Sequence, residues 1–239
     1  MIIAEFIIAI IIGYLLGSIP FGLLVGQRHA RVDVRQYGSG RTGATNVLRT
    51  AGRKAAALVA GLDVLKGVLA VVFAGLIVGE GYLMVGGIGL GALVAQVLAA
   101  LAAVVGHIWP VFLKFQGGRG VATFAGGLLA LCPLAAIFGG VVILIVVSIT
   151  RYVSLGAIAG VVGTYAILVP LTIINGFPVE YLFYTLVGTI IIFVIHRDNI
   201  SRLVSGKERK LGEKAEKNGL PPSNPRSGGF LTHETGSTR

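Results

Sequence analysis

The 239-residue chain reads as an all-α polytopic membrane protein with seven transmembrane helices, its N-terminus outside and its C-terminus in the cytoplasm. Three observations predict this. First, 55% of the residues are hydrophobic, only 13% are charged, and the mean hydropathy is +0.88, which soluble chains of this length rarely reach. Second, there are 36 glycines, the residue that lets membrane helices approach closely. Third, every Lys and Arg except Lys66 lies within 28–54, within 114–119, at Arg151, or from Arg197 onward. The connections near Gly79–Gly81 and Asn175–Glu180 hold acids and no bases. That asymmetry retains the basic loops in the cytoplasm. It also accounts for the net charge of +10 without a nucleic-acid partner.

A span takes about 20 apolar residues. Ile2–Val25 is the first, with Pro20 near its inner end, and no small-residue cleavage site follows it, so it reads as a retained helix. Residues 26–53 form a basic loop, Ala55–Val78 and Tyr82–Val105 the next two spans, and His107–Gly120 a second inner loop. Residues 121–150 are settled by parity. A single crossing would place Arg151 and the seven bases between Arg197 and Lys217 outside, so two short helices broken at Cys132–Pro133 are expected. Leu155–Ile174 and Val179–Ile195 complete the count. The membrane domain is thus 1–210. Residues 211–239, polar and containing Pro221, Pro222 and Pro225, are expected to be a disordered cytoplasmic tail. Cys132 is the one cysteine and has no partner for an internal disulfide.

Four inner segments carry candidate chemistry. The first is GSGRTGATNVLR, residues 38–49. Gly38, Gly40 and Gly43 allow backbone N–H groups to converge on an anion. Ser39, Thr42, Thr45 and Asn46 add side-chain donors, and Arg41 and Arg49 add charge suited to phosphate. No G-K-[ST] closes the loop, so it is not a Walker motif. The second runs GHIWPVFLKFQGGRGVAT from Gly106 to Thr123. Its aromatics suit the headgroup zone, and Gly117-Gly118-Arg119-Gly120 opens a helix whose N-terminus favours an anion. The third begins His196-Arg197-Asp198-Asn199. His196 and Asn199 share a helix face, and Arg202 follows three residues on. The smallest, TRYVS, offers Arg151 and Ser154. Asp63 and Lys66, one turn apart within a span, read as a site-supporting or structural ion pair.

Other chemistries are missing: there is no H-x-x-x-x-D, no G-x-S-x-G and no H-E-x-x-H. No metal or cofactor is called for. Without a strong base or nucleophile, the pattern fits a substrate that is already activated. Basic residues between helices also suit a transporter or flippase of a phosphorylated metabolite. Transporters, however, place such residues and broken helices near the midplane, whereas here nearly all lie at one surface.

These segments resemble the bacterial membrane glycerol-3-phosphate acyltransferases that use acyl phosphate, the PlsY type. GSIPFG at 17–22, GSGRTGATNVLR, DVLKG at 63–67, GHIWPVFLKFQGGRGVAT, RYVS and HRDNISRLVSGKERK match the family patterns in order over nearly all of 1–210. Arg41 stands where the family usually has Asn, and Gln116 and Arg119 where it usually has Lys. The resemblance implies a seven-helix fold in the bacterial inner membrane with its site on the cytoplasmic face. It also implies acyl transfer from acyl phosphate to the 1-hydroxyl of glycerol 3-phosphate, releasing phosphate and lysophosphatidic acid, and a functional link to the enzyme that makes acyl phosphate. Ser39, Arg119, Ser154, His196 and Asn199 would carry the chemistry. Gly38, Gly40, Thr42, Gly43, Thr45, Asn46, Arg49, His107, Gly117, Gly118, Gly120, Arg151 and Arg202 would bind substrate.

Overall fold

The structure, a computed structural model, describes residues 1–86, 88–213 and 215–218. Nine α-helices dominate these residues: α1 (Ile2–Ser18), α2 (Phe21–Ala30), α3 (Ala44–Val78), α4 (Ala92–Ile108), α5 (Val121–Leu131), α6 (Pro133–Thr150), α7 (Val153–Asn175), α8 (Val179–Ile195) and α9 (Arg197–Val204). Among the described residues, five stretches are long and apolar enough to cross a membrane: Ile2–Ala30, Ala44–Val78, Ala92–Leu113, Pro133–Thr150 and Val153–Asn175. The α8–α9 pair, bent by 60°, supplies a sixth if it is one span, and α5 is apolar but only 11 residues long.

The expected break at Cys132–Pro133 is present: α5 stops at Leu131 and α6 starts at Pro133. Proline at the first helical position loses nothing, because that N–H has no partner within the helix. Three boundaries differ from the sequence expectation. The span expected over Ile2–Val25 is two helices, since Pro20 cannot donate and Ile19 is extended (φ −61°, ψ 118°). The basic loop expected over 26–53 is helical at both ends. α2 runs to Ala30, and α3 begins at Ala44, with a kink where Gly52 takes φ 87°. The span expected from Tyr82 starts only at Ala92. Before it, β1 (Leu83–Val85) and β2 (Ile88–Leu90) pair antiparallel, with Leu83 opposite Leu90. A hydropathy window sees an apolar stretch here and cannot see its glycine turn.

Close helix contact is built from missing side chains. A Cβ on Gly13 or Gly17 of α1 would run into the backbone of Ala99 or Ala103 of α4, and one on Gly67 of α3 into that of Thr123 of α5. These small faces bring the backbones together in van der Waals contact, the main attraction available where lipid is as apolar as the core. The largest apolar cluster lies where α4, α5, α7 and α8 meet. There Phe124 and Tyr184 stack at 5.0 Å, and the Tyr184 hydroxyl donates to the Phe124 carbonyl at 2.8 Å. Outward, Phe112 and Phe115 are exposed, as an interfacial role requires.

Hydrogen bonds continue past the expected boundary at residue 210. Leu211 N–H donates to Arg151 O, Ala215 N–H to Arg49 O, and Asn218 N–H to Gln36 O, while Glu216 O accepts from Gly38 N–H. Residues 211–213 and 215–218 therefore form a strap against the first loop. The expected tail from 219 onward lies outside the described residues.

Candidate active site

The four inner segments converge on one cavity of about 550 Å³. Four helices present their first turns to it: Ala44 and Thr45 of α3, Val121 and Ala122 of α5, Val153 and Ser154 of α7, and Asp198 and Asn199 of α9. Among the described residues, no side chain caps any of these N-termini. Free N–H groups and aligned dipoles make each a weak anion site, and here they act together. Arg41, Arg49, Arg119 and Arg202 stand around the same space. The wall also has an apolar part, Ala60, Ala125, Ile143 and Ala157, where the short alanine side chains leave width for a chain-like group, and Asp63 and His107 line the same cavity.

The first loop works differently from the sequence expectation. Gly38 N–H donates to Glu216 O, Ser39 N–H to Asn46 Oδ1, Gly40 N–H to Tyr37 O and Arg41 N–H to Ser39 Oγ. Those N–H groups are already used, whereas the α3 N-terminus behind Gly43 lines the cavity. Asn46, though at the cavity edge, knits the loop. Its Nδ2 donates to the carbonyls of Val34, Tyr37 and Arg41 at 2.8, 3.1 and 2.9 Å.

Of the expected residues, Gly38, Ser39, Gly43, Thr45, Asn46, Arg49, His107, Arg119, Gly120, Ser154, His196, Asn199 and Arg202 line the cavity, and so does Asp63. Gly40, Thr42, Gly117, Gly118, Arg151 and Lys66 do not. Thr42 is buried under α2, and Gly117 and Gly118 pack on the end of α4. The Arg151 guanidinium donates to Leu211 O at 3.0 Å and so ties down the strap.

The residue that sequence reasoning missed is Glu208. Its carboxylate accepts from Ser154 Oγ at 2.8 Å, Asn199 Nδ2 at 2.6 Å and Arg202 Nε at 2.8 Å. Burial raises the pKa of this carboxyl, but the three hydrogen bonds together outweigh burial and hold it below the usual carboxylate range. Its one sequence signal is an acid alone in the basic run KERK. Arg49 donates to the carbonyls of Arg209 and Lys210 next door, at 3.2 and 3.4 Å, while its buried Nε has no partner. Asn199 Oδ1 is likewise buried and unpartnered.

His196 sits at the α8–α9 bend, buried, with Nδ1 2.8 Å from the Ile192 carbonyl. A carbonyl only accepts, so Nδ1 carries the proton and Nε2 is left as an acceptor. Burial, then the Arg119 charge, pushes this imidazole down to about 4, so it is neutral near pH 7. Arg119, held down to about 10 mainly by burial, stays charged.

The fold and site define an integral membrane protein with a cavity lined by arginines and helix N-termini and, in part, by apolar side chains. The family model described as "Glycerol-3-phosphate acyltransferase" matches residues 7–206. The chain is 63% identical over 215 residues to glycerol-3-phosphate acyltransferase 3 of Dehalococcoides mccartyi, covering 90% of this chain and all of that protein. It is 42% identical over 205 residues to the glycerol-3-phosphate acyltransferase of Halalkalibacterium halodurans, covering 85% of this chain and 94% of that one. Among solved structures it is similar to PlsY (YgiH), an integral membrane glycerol 3-phosphate acyltransferase. Its glycerol 3-phosphate form superposes with a TM-score of 0.74 at 36% identity, over 87% of this chain and 96% of that one. The chain belongs to the glycerol-3-phosphate acyltransferase family.

Proposed function

We propose that the protein transfers an acyl group from acyl phosphate to the 1-hydroxyl of sn-glycerol 3-phosphate, yielding lysophosphatidic acid and phosphate. One observation carries this reading. Four uncapped helix N-termini and five arginines line a cavity that also has an apolar wall of Ala60, Ala125, Ile143 and Ala157. Such a cavity suits two phosphates and one hydrocarbon chain. The α3 N-terminus, Ser39, Thr45 and Arg119 hold the acyl-phosphate head, with the acyl chain along Ala60, Ala125 and Ala157. Arg49, Ser154, His196 and Asn199 hold glycerol 3-phosphate, and the unpartnered Asn199 Oδ1 accepts from a glycerol hydroxyl.

The glycerol oxygen attacks the acyl carbonyl carbon, the bond from that carbon to the phosphate oxygen breaks, and the hydroxyl proton passes to a phosphate oxygen. Acyl phosphate is a mixed anhydride with a good leaving group, so positioning and charge stabilisation suffice. A His196 pKa near 4 makes it a poor base and a good hydrogen-bond acceptor, which favours the substrate as its own base.

The placement in the bilayer is part of the same proposal. The protein has seven spans (the short α5 among them), the N-terminus outside, and the site on the cytoplasmic face of a bacterial inner membrane, supplied by the enzyme that makes acyl phosphate. Purified protein given both substrates should release phosphate and form lysophosphatidic acid, with neither product formed when either substrate is omitted. Equal activity with an acyl thioester in place of acyl phosphate would overturn the donor assignment. An impermeant thiol reagent labelling Arg151→Cys in intact cells would overturn the topology.

A further inference from the structure

The mechanism leaves Asp63 and Lys66 without a role and gives His107 none beyond lining the wall, yet the structure joins the three. Lys66 Nζ lies 2.8 Å from Asp63 Oδ1, and His107 Nδ1 lies 3.4 Å from the same oxygen, all three side chains being buried. Such a group is expensive to keep in a membrane helix bundle. What it holds is informative on both sides.

Lys66 Nζ donates to the Ile19 carbonyl at 3.1 Å and lies 5.6 Å from the Phe21 ring centre, gripping the corner between α1 and α2. One residue on, Gly22 packs so tightly on the Thr42 carbonyl that a Cβ would overlap it. Thr42 immediately precedes Gly43 and the α3 N-terminus. On the other side, the His107 ring lies where a Cβ on Gly118 would go, and the His107 and Ile108 carbonyls accept from Gly118 and Gly117 N–H, each at 3.0 Å. Arg119 and the α5 N-terminus follow directly.

We infer that Asp63, Lys66 and His107 are positioning residues that set the spacing between the α3 N-terminus and Arg119, the two halves of the acyl-phosphate site. The inference rests on the proposed assignment of those halves to acyl phosphate. Glycerol 3-phosphate is held chiefly from α7 and α9, which the cluster does not grip, and Arg49, although on α3, is tied by its guanidinium to the carbonyls of Arg209 and Lys210. Losing the cluster therefore weakens one substrate and spares the other.

The test is the double variant Asp63→Asn/Lys66→Met, which removes the pair without stranding a lone buried charge. With the full chain in detergent, its melting temperature should stay near the wild-type value, while KM for acyl phosphate rises about tenfold, the cost of roughly one misplaced charged contact. KM for glycerol 3-phosphate should stay within about twofold. Amide exchange of residues 42–45 and 117–121 should speed up together, with residues 196–200 unchanged. Unchanged KM values in the folded double variant would overturn the inference, as would both rising alike. Should that variant fail to fold, His107→Phe keeps a ring against Gly118 and cuts only the link to Asp63. It should give the same split at a few-fold size, and no split there overturns the inference equally. Exchange judges the cluster independently of turnover: wild type inactive with acyl phosphate would sink the proposed reaction, and unchanged exchange would sink the positioning role.

Discussion

Two buried charge clusters lie at the same end of the molecule and differ in one respect. In the Asp63–Lys66–His107 group, acid and base lie in contact and the cationic Nζ also finds a carbonyl. In the Ser154–Asn199–Arg202–Glu208 group, three donors aim at one carboxylate beside a cavity, and Asn199 Oδ1 and Arg49 Nε remain unpartnered. Burial of charge is common to both. Asp63 Oδ1 also lacks a hydrogen-bond partner, and Asp63 lines the cavity, but Lys66 Nζ lies 2.8 Å from that oxygen. In the second cluster no opposite charge among the described residues contacts Arg49 Nε or Asn199 Oδ1, and that surplus is what a ligand uses. The first cluster should therefore respond to mutation as architecture and the second as chemistry.

The largest effect should come from breaking the closed cluster on one side. Lys66→Met strands Asp63 as a buried carboxylate and should cost about 3–5 kcal/mol of stability, read as a large drop in melting temperature. If melting is unaltered, the pair is not what keeps Asp63 in place. Next comes the charge at the cavity. Arg119→Ala should cut kcat/KM by roughly ten- to a hundredfold, for about 1.5–3 kcal/mol of lost charged hydrogen bonding, while Arg119→Lys should keep part of the activity. Full turnover by a folded alanine variant would make Arg119 a headgroup anchor only.

Smaller is Glu208→Gln, which keeps an acceptor for Ser154 and Asn199 but loses the charge beside half-exposed Arg202. It should cost about 1 kcal/mol, or roughly 2–4 °C in melting temperature for a chain of this size. The smallest concerns His196. Its folded pKa near 4 lies below the ordinary value of about 6.5, so unfolded chains bind the extra proton between these limits. Stability contributed by neutral His196 is then complete above about pH 6.5 and lost as pH falls toward 4. Accordingly, kcat should show no ascending limb near pH 6.5, and His196→Gln should raise the KM for glycerol 3-phosphate more than it lowers kcat. A limb at pH 6.5 with a collapse of kcat alone would make His196 the base.

Much of the helical frame was legible because long apolar runs report directly on which segments are helical and long enough to cross a membrane. The Cys132–Pro133 break was readable from parity and from proline's missing N–H. What could not be read were interruptions inside apolar runs, at Ile19–Pro20 and in the 83–90 hairpin, where backbone geometry decides and hydropathy is silent. The site was legible as a set of donors, and the structure gathers Ser39, Arg49, Arg119, Ser154, His196 and Asn199 around one cavity. Glu208 escaped because a search for phosphate ligands looks for positive charge, and an acid among bases reads as a solvated partner. Only the fold shows it reaching back to Ser154, on a helix far away in sequence.

The strap has a consequence for how the protein comes into being. Gly38 N–H, the Arg49 carbonyl and one Arg49 guanidinium nitrogen are bonded by Arg209, Lys210, Ala215 and Glu216, made at least 160 residues after Arg49. At about 5–20 residues per second, the first loop waits roughly 10–30 s for its partners after it leaves the ribosome. Insertion into the bilayer and completion of the cavity are thus separate events in time. A chain that stops at Val204 can hold all nine described helices and still lack a finished site.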